Sequence, residues 1–296
     1  MKRMAQLVLK VIALAFVMLV GFAVTSPLLG ASAKPTPEML AAARLTPLVC
    51  LLMSAALAHP ILRSRWYGWK LAAAIFFVLY GLMTVITQVE TYYFLSLAPL
   101  LPPGMLPRLF VTGALISALW APVAVWLLGR WSPPGGKAVP VPVLRLKMSL
   151  DELIAKTFLI GLVYLVLYFT FGYYVAWKNP AVQAYYHGTD PGSFLLQLKH
   201  AFTKTPELIP FQLLRSVMWV AFALPVIHLM KGEWWEAGLA VALLYTVLVS
   251  AQLLLPNPYM PSAVRIAHLL ETATSDFIFG WAVVLILGWK DKLPEQ

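Results

Sequence analysis

Charge is what this chain has least of. Only 11% of its 296 residues are Asp, Glu, Lys or Arg, where a soluble domain carries about 25%. Such a chain cannot clothe one water-exposed globule in polar groups, so lipid must be its solvent. Cysteine is nearly missing: Cys50 stands alone, inside an apolar run. That excludes an internal disulfide and a thiolate metal cluster, and leaves a small buried hydrophobe as the plain reading. There is no HExxH, no nucleophile motif and no glycine loop that would cradle a phosphate. No stretch between the apolar runs is long enough for a soluble catalytic module. Acidic residues are outnumbered, 12 against 22 Lys and Arg. The excess does not point to nucleic acid, because the basic residues are scattered between apolar spans and form no basic face. It points to membrane topology and to a bilayer with anionic headgroups as the partner.

What the chain has in abundance is apolar residues, 61% of the total. A bilayer core of about 30 Å needs roughly 20 of them in a helix. Eight segments qualify: 6–26, 45–63, 70–94, 107–129, 154–177, 208–230, 236–255 and 263–288. The expected fold class is an all-α, polytopic transmembrane helical bundle of eight spans. Lys and Arg set its orientation. With both termini in the cytoplasm, the inner loops hold Lys2, Arg3, Lys10, Arg63, Arg65, Lys70, Arg130, Lys137, Arg145, Lys147, Lys156, Lys231, Lys290 and Lys292. Trp66, Trp69, Trp131, Trp234, Trp235 and Trp289 fall at the same inner ends, where an interfacial aromatic belt belongs. A bacterial-type inner membrane is the expected location. Residues 1–33 carry a competing pattern, a Met-Lys-Arg start, an apolar stretch and Ala31–Ser32–Ala33, which reads as a secretory signal. The stretch is long for a signal, and the repeat described next needs it as a helix.

Segment 131–148, "WSPPGGKAVPVPVLRLKM", is dense in proline and glycine and reads as a cytoplasmic linker. It divides a half of four helices, residues 1–130, from a second half, residues 149–296. "SLDE" at Ser149–Glu152 has the capping-box pattern and starts the fifth helix. "TPE" precedes the second segment at Thr36–Glu38 and the sixth at Thr205–Glu207. In both, Thr would cap, Pro would take the first helical position and Glu would face the positive helix end. "LLP" precedes the fourth and eighth segments, at Leu100–Pro102 and Leu254–Pro256. These echoes suggest a parallel four-plus-four repeat about an axis along the membrane normal, as in parallel-repeat transporters. Each even-numbered segment also carries an arginine near its outer mouth: Arg44, Arg108, Arg215 and Arg265. They either snorkel to outer headgroups or form a basic rim suited to a small anionic ligand or lipid.

The eighth segment is the most polar. "VRIAHLLETATSDF" places Arg265, His268, Glu271, Thr272, Ser275 and Asp276 within roughly 140° of one helix face, at about 100° per residue. Charges at membrane depth usually turn to the bundle interior or to water, so this stripe should face inward. Glu90, in "TQVETYYF" near the outer end of the third segment, should lie at similar depth. The candidate binding cluster is therefore Glu90, Arg108, Arg215, Arg265, His268, Glu271 and Asp276, open toward the outside. Three readings fit it. It is ion-pair glue between helices; or it is a binding or translocation site whose carboxylates and His268 exchange protons; or it is a metal-assisted enzyme centre. For the last, His268 and Glu271 form H-x-x-E at a spacing that can share one ion, with Glu90 or Asp276 as a third ligand. No cofactor motif is present, and H-x-x-E alone is a weak metal signature. His59 and His228 stand at matching inner ends of the second and sixth segments, where interfacial polar histidines are common. Outer loop 178–207 carries an amphipathic stretch around Ser193–Phe202, placed either to lie on the membrane or to lid the cavity. The function expected is that of a multi-pass membrane protein with a transporter-like or ligand-binding role.

Overall fold

Proline and short polar side chains start several of the helices. The computed structural model describes residues 2–30, 36–95, 101–133, 135, 144, 146–190 and 192–289. Eight helices are long and apolar enough to cross a membrane: α1 (Lys2–Leu29), α2 (Pro37–Leu62), α3 (Gly68–Phe94), α4 (Met105–Leu127), α5 (Leu150–Trp177), α6 (Leu208–Leu229), α7 (Trp234–Leu254) and α8 (Ser262–Leu287). No strand occurs among the described residues. At α2 the Thr36 hydroxyl accepts the Met39 N–H at 3.3 Å, Pro37 occupies the first turn, and Glu38 follows it. At α5 the Ser149 hydroxyl accepts the Glu152 N–H at 3.2 Å. Glu152 also pairs with Lys156 at 3.1 Å.

The second "TPE" behaves differently from the first. Thr205 ends the short helix Phe194–Lys204, and its hydroxyl donates to the Ala201 carbonyl behind it. Helix α6 therefore begins later, at Leu208, with Glu207 at its cap position and no side-chain cap. The motif is the same, but a preceding helix competes for its threonine. Most of the Pro/Gly-rich linker, with Lys137 and Arg145, lies outside the described residues, as do the Ala31–Ala33 stretch, Leu100 of the first "LLP", and Lys290 and Lys292.

The order of neighbours is the same in the two halves. In the first, α1 packs on α2 and on α4, and α3 packs on α4; in the second, α5 packs on α6 and on α8, and α7 packs on α8. Between the halves, α2 meets α7 and α3 meets α6. Helices α7 and α8 approach closely at Gly280, where a Cβ would come within 2.5 Å of the Ala242 backbone. Small residues let membrane helices close in this way. The α2–α3 and α6–α7 loops join as well. Arg65 N–H donates to the Leu229 carbonyl at 2.7 Å, and Lys231 N–H to the Arg63 carbonyl at 2.8 Å, an antiparallel bridge across Ser64 and Met230. Arg63 pairs with Glu236 at 2.6 Å beside it, and the Arg130 guanidinium lies over the Tyr67 ring and donates to the Ser64 carbonyl. Against the opposing effect of burial, Lys231 and Arg130 also hold the half-buried Tyr67 phenol below its usual value.

Helix α1 is part of this bundle. Leu14 and Met18 are fully buried, and the Trp120 indole of α4 donates to the Leu14 carbonyl at 3.0 Å. Cys50 is buried, as a small hydrophobe would be. Large apolar side chains such as Phe16, Trp126 and Val166 stand exposed around the outside. In water such a surface would aggregate; in lipid it is the ordinary exterior. Two helices carry a π-helical turn, Gly81–Val85 in α3 and Gly172–Trp177 in α5. Turns of this kind recur at functional sites, and both of these flank the polar cluster.

Candidate functional site

The stripe on α8 faces the bundle. Arg265, Glu271 and Asp276 are buried, and His268, Thr272 and Ser275 are half-buried, while Leu270 and Phe277 look outward. Thr272 is anchored by its own His268 carbonyl at 2.7 Å and by Ser250 of α7 at 3.0 Å. The stripe is thus held against α7 on one side and opens toward α5 and α6 on the other.

Glu90 reaches the cluster from α3, as its position in the sequence suggests, but its partner is on α6. Its two carboxylate oxygens accept from the two terminal nitrogens of Arg215 at 2.8 and 2.9 Å. This is the fork-to-fork pairing that makes Arg–carboxylate contacts strong. Arg215 is only 3% exposed, and the side chain of Glu90 is 33% exposed. Gln212, one turn earlier on α6 and fully buried, adds an acceptor to the same guanidinium at 3.0 Å. The face of Arg215 lies over the Tyr164 ring of α5, 5.8 Å from its centroid.

His268 and Glu271 pair within α8, Nδ1 to Oε2, at 2.8 Å. The other ring nitrogen, Nε2, lies 3.2 Å from the Tyr186 hydroxyl. Burial pushes the Tyr186 phenol well above its usual value, so it stays neutral and keeps its proton. In the tautomer with the proton on Nδ1, the imidazole donates to Glu271 and accepts from Tyr186, and all three groups are satisfied. Tyr186 was not among the residues the sequence singled out. It follows the short helix Pro180–Tyr185, which Asn179 caps and Pro180 opens. That helix is pinned to the start of α8 by Val182 packing on Val264 and Ala267, and by Tyr185 donating to the Tyr259 carbonyl at 2.9 Å. The signal available in the sequence was the Asn-Pro start at the end of α5; nothing local said where the following tyrosine would land. The amphipathic helix beyond it, Phe194–Lys204, leaves Leu195, Leu196 and Phe202 exposed, so its apolar face is turned to the surroundings and does not close over the cluster.

The four arginines do not form one rim. Arg265 is 8% exposed and donates to the Leu253 carbonyl, at the loosened end of α7, at 2.6 Å. Arg108 is exposed, with its guanidinium beside Gly30 at the end of α1, and it makes no contact with Glu90, His268, Glu271 or Asp276 among the described bonds. Arg44 is exposed on α2. The pairing of Glu90 with Arg215 also takes it away from His268 and Glu271 as a third ligand, and among the described residues no three His, Cys, Asp or Glu side chains converge as metal ligands would. His228 turns Nδ1 to its own Leu224 carbonyl at 2.8 Å.

Asp276 is the deepest member. It is 6% exposed, and its Oδ2 has no hydrogen-bond partner. It feels the charges of Arg215, Glu90 and Glu271, and it acts in turn on the Tyr164 and Tyr245 phenols. Below it Tyr164, Trp219, Tyr245 and Phe279 form a contiguous aromatic floor, with ring centroids 4.4–6.3 Å apart. No family model matches the chain, and no curated protein or solved structure does either.

Proposed function

We propose that the chain is a transporter-like, ligand-binding membrane protein whose working centre is the outer polar cluster of α3, α5, α6 and α8. One observation carries this: the hydrogen-bonded row Tyr186–His268–Glu271 runs into the same interior that holds the Arg215–Glu90 pair and Asp276. Ion-pair glue accounts for Arg215 and Glu90. It does not account for a histidine placed between a neutral phenol and a carboxylate, an arrangement that passes protons, nor for a buried carboxylate oxygen without a partner. The matching order of neighbours in the two halves and the bridge between their loops support a duplicated four-helix unit, on which alternating access by rocking is built in parallel-repeat transporters. The positive inner loops support cytoplasmic termini in a bacterial-type plasma membrane, with anionic headgroups as lipid partners.

Cysteines placed at Ser250 and Ser275 in oriented phosphatidylethanolamine–phosphatidylglycerol vesicles test the reading. An impermeant maleimide should reach them from one side at neutral pH and from the other at acid pH, and the change should vanish in His268→Ala. Labelling from the same side at every pH would sink it. A second reading is kept because Glu271 fixes the His268 ring as a carboxylate fixes a general base. In that case the centre is a membrane-embedded enzyme, and purified protein should turn over a lipid or lipid-soluble ester with no change in sidedness.

A further inference from the structure

The charge inventory of the cluster decides what kind of ligand suits it. Three acidic side chains, Glu90, Glu271 and Asp276, stand against two basic ones, Arg215 and His268. Arg215 is taken up bidentately by Glu90, and His268 by Glu271. Arg265, further out, is spent on the Leu253 carbonyl, and Arg44 and Arg108 are exposed. To gain the terminal nitrogens of Arg215 an anion would have to displace Glu90; only its Nε has no partner among the described residues. The charged side chain left without an ion-pair partner is acidic, beside the Gln212 Nε2 and Trp219 Nε1 donors, which also lack a partner among the described residues. Asp276 is more than nine-tenths buried, aimed at the interior between α5, α6 and α7, and its Oδ2 is unpartnered. Buried polar atoms without partners are rare in native proteins and call for an explanation. The clustered rings of Tyr164, Trp219 and Tyr245 are near enough for both phenols to feel the Asp276 charge, and aromatic rings attract cations. Among the described residues no three His, Cys, Asp or Glu side chains converge here, fewer ligands than a divalent ion demands.

Building on the transporter-like reading above, we infer that Asp276 is the binding carboxylate for a small monovalent cation: a proton, Na+ or a primary ammonium. The ion enters past Tyr186 and His268 and sits at Asp276 over the aromatic floor. The Arg215–Glu90 pair beside it fixes the walls and keeps the local charge from favouring an anion.

The test uses the full chain in nanodiscs of phosphatidylethanolamine and phosphatidylglycerol. Thermal unfolding is followed at constant ionic strength in sodium, potassium, methylammonium or choline chloride, and the protonated-carboxyl stretch is followed by infrared across pH. If the ion is Na+ or an ammonium, that salt raises Tm over choline by several degrees in the wild type and by none in Asp276→Asn. If the ion is the proton, the salts are equivalent and a carboxyl band titrates with pH in the wild type and is missing in Asp276→Asn. Salt-independent Tm together with a carboxyl band that does not titrate overturns the inference. So does a cation effect that survives in Asp276→Asn. Should that variant fail to fold, Asp276→Glu keeps the carboxylate: a changed preference among the cations, or for the proton a shifted titration of the carboxyl band, supports the assignment, and no change in either overturns it. The pH-dependent labelling through His268 is read separately. Its survival in Asp276→Asn would leave the proposed function standing while the cation site falls, and its absence in the wild type would remove the function itself.

Discussion

Each half of the molecule carries an arginine on both of its even-numbered helices, and the two halves use them differently. Arg44 on α2 and Arg108 on α4 are exposed, while Arg215 on α6 and Arg265 on α8 are buried. The difference lies in what surrounds them. The second half receives Glu90 from α3, the Leu253 carbonyl from the 3-10 turn that ends α7, and a cover from residues 178–190 that brings Tyr186 onto His268. Among the described residues Arg44 and Arg108 have no such neighbours. A guanidinium without a partner stays at the interface because burial of an unpaired charge is expensive. A shared motif thus places the arginine, and the neighbours decide whether it becomes structure.

Breaking the pair that the first half lacks should have the largest effect. Glu90→Ala strands a buried guanidinium, and a loss of about 3 kcal/mol is expected, toward the low end of the range for broken buried pairs because Glu90 is one-third exposed. Replacing both partners, as Glu90→Leu with Arg215→Met, should recover most of that stability while abolishing pH-dependent labelling; denaturant titration in detergent measures the first, and maleimide access the second. Arg265→Ala removes one charge-assisted bond and should cost about 1.5–3 kcal/mol. Tyr186→Phe leaves the imidazole nitrogen without its phenol and should cost about 1 kcal/mol, read by the same titration. At the other end of the scale, Arg44→Ala and Arg108→Ala should stay within about 0.5 kcal/mol of the parent. If either matched Arg265→Ala, the contrast between the halves would be lost.

A last, smaller prediction concerns the cover. The Gly192 N–H donates to Asp190 at 2.9 Å, and this bond, with help from Lys178, holds the exposed carboxyl below its ordinary value. A lowered folded value means the contribution is present above the unfolded value, about 3.9, and is lost as pH falls through the folded one. Trp177, whose indole donates to the Thr189 carbonyl at 3.2 Å, should report it. Its emission is expected to change only in acid below the usual aspartate range, and the change should be missing in Asp190→Asn.

Much of the fold could be read in advance because lipid imposes a simple rule: each apolar run of sufficient length is a helix with its backbone satisfied internally. The ends of α2 and α5 were written in Thr36–Pro37 and Ser149, and the inward stripe of α8 in its 3.6-residue period. The start of α6 was not, because Thr205 was claimed by the helix before it. Nor was the partner of Glu90. The π-helical turn Gly81–Val85 lies between the inner part of α3 and Glu90, and such a turn adds a residue and rotates everything beyond it relative to a regular helix. A projection drawn from sequence carries no sign of that rotation.

The sequence by itself determined the solvent, the eight spans and the presence of buried charge, since these follow from local composition and period. Tertiary structure alone decided which charge meets which. Arg215 meets Glu90 across 125 residues, and Tyr186 meets His268 across 82. Such pairings depend on helix neighbours and on one segment folded back over α8, and no local rule of propensity reaches that far. The same packing left the Asp276 Oδ2 without a partner among the described residues, because the carboxylates and cations that could meet it are already paired with one another.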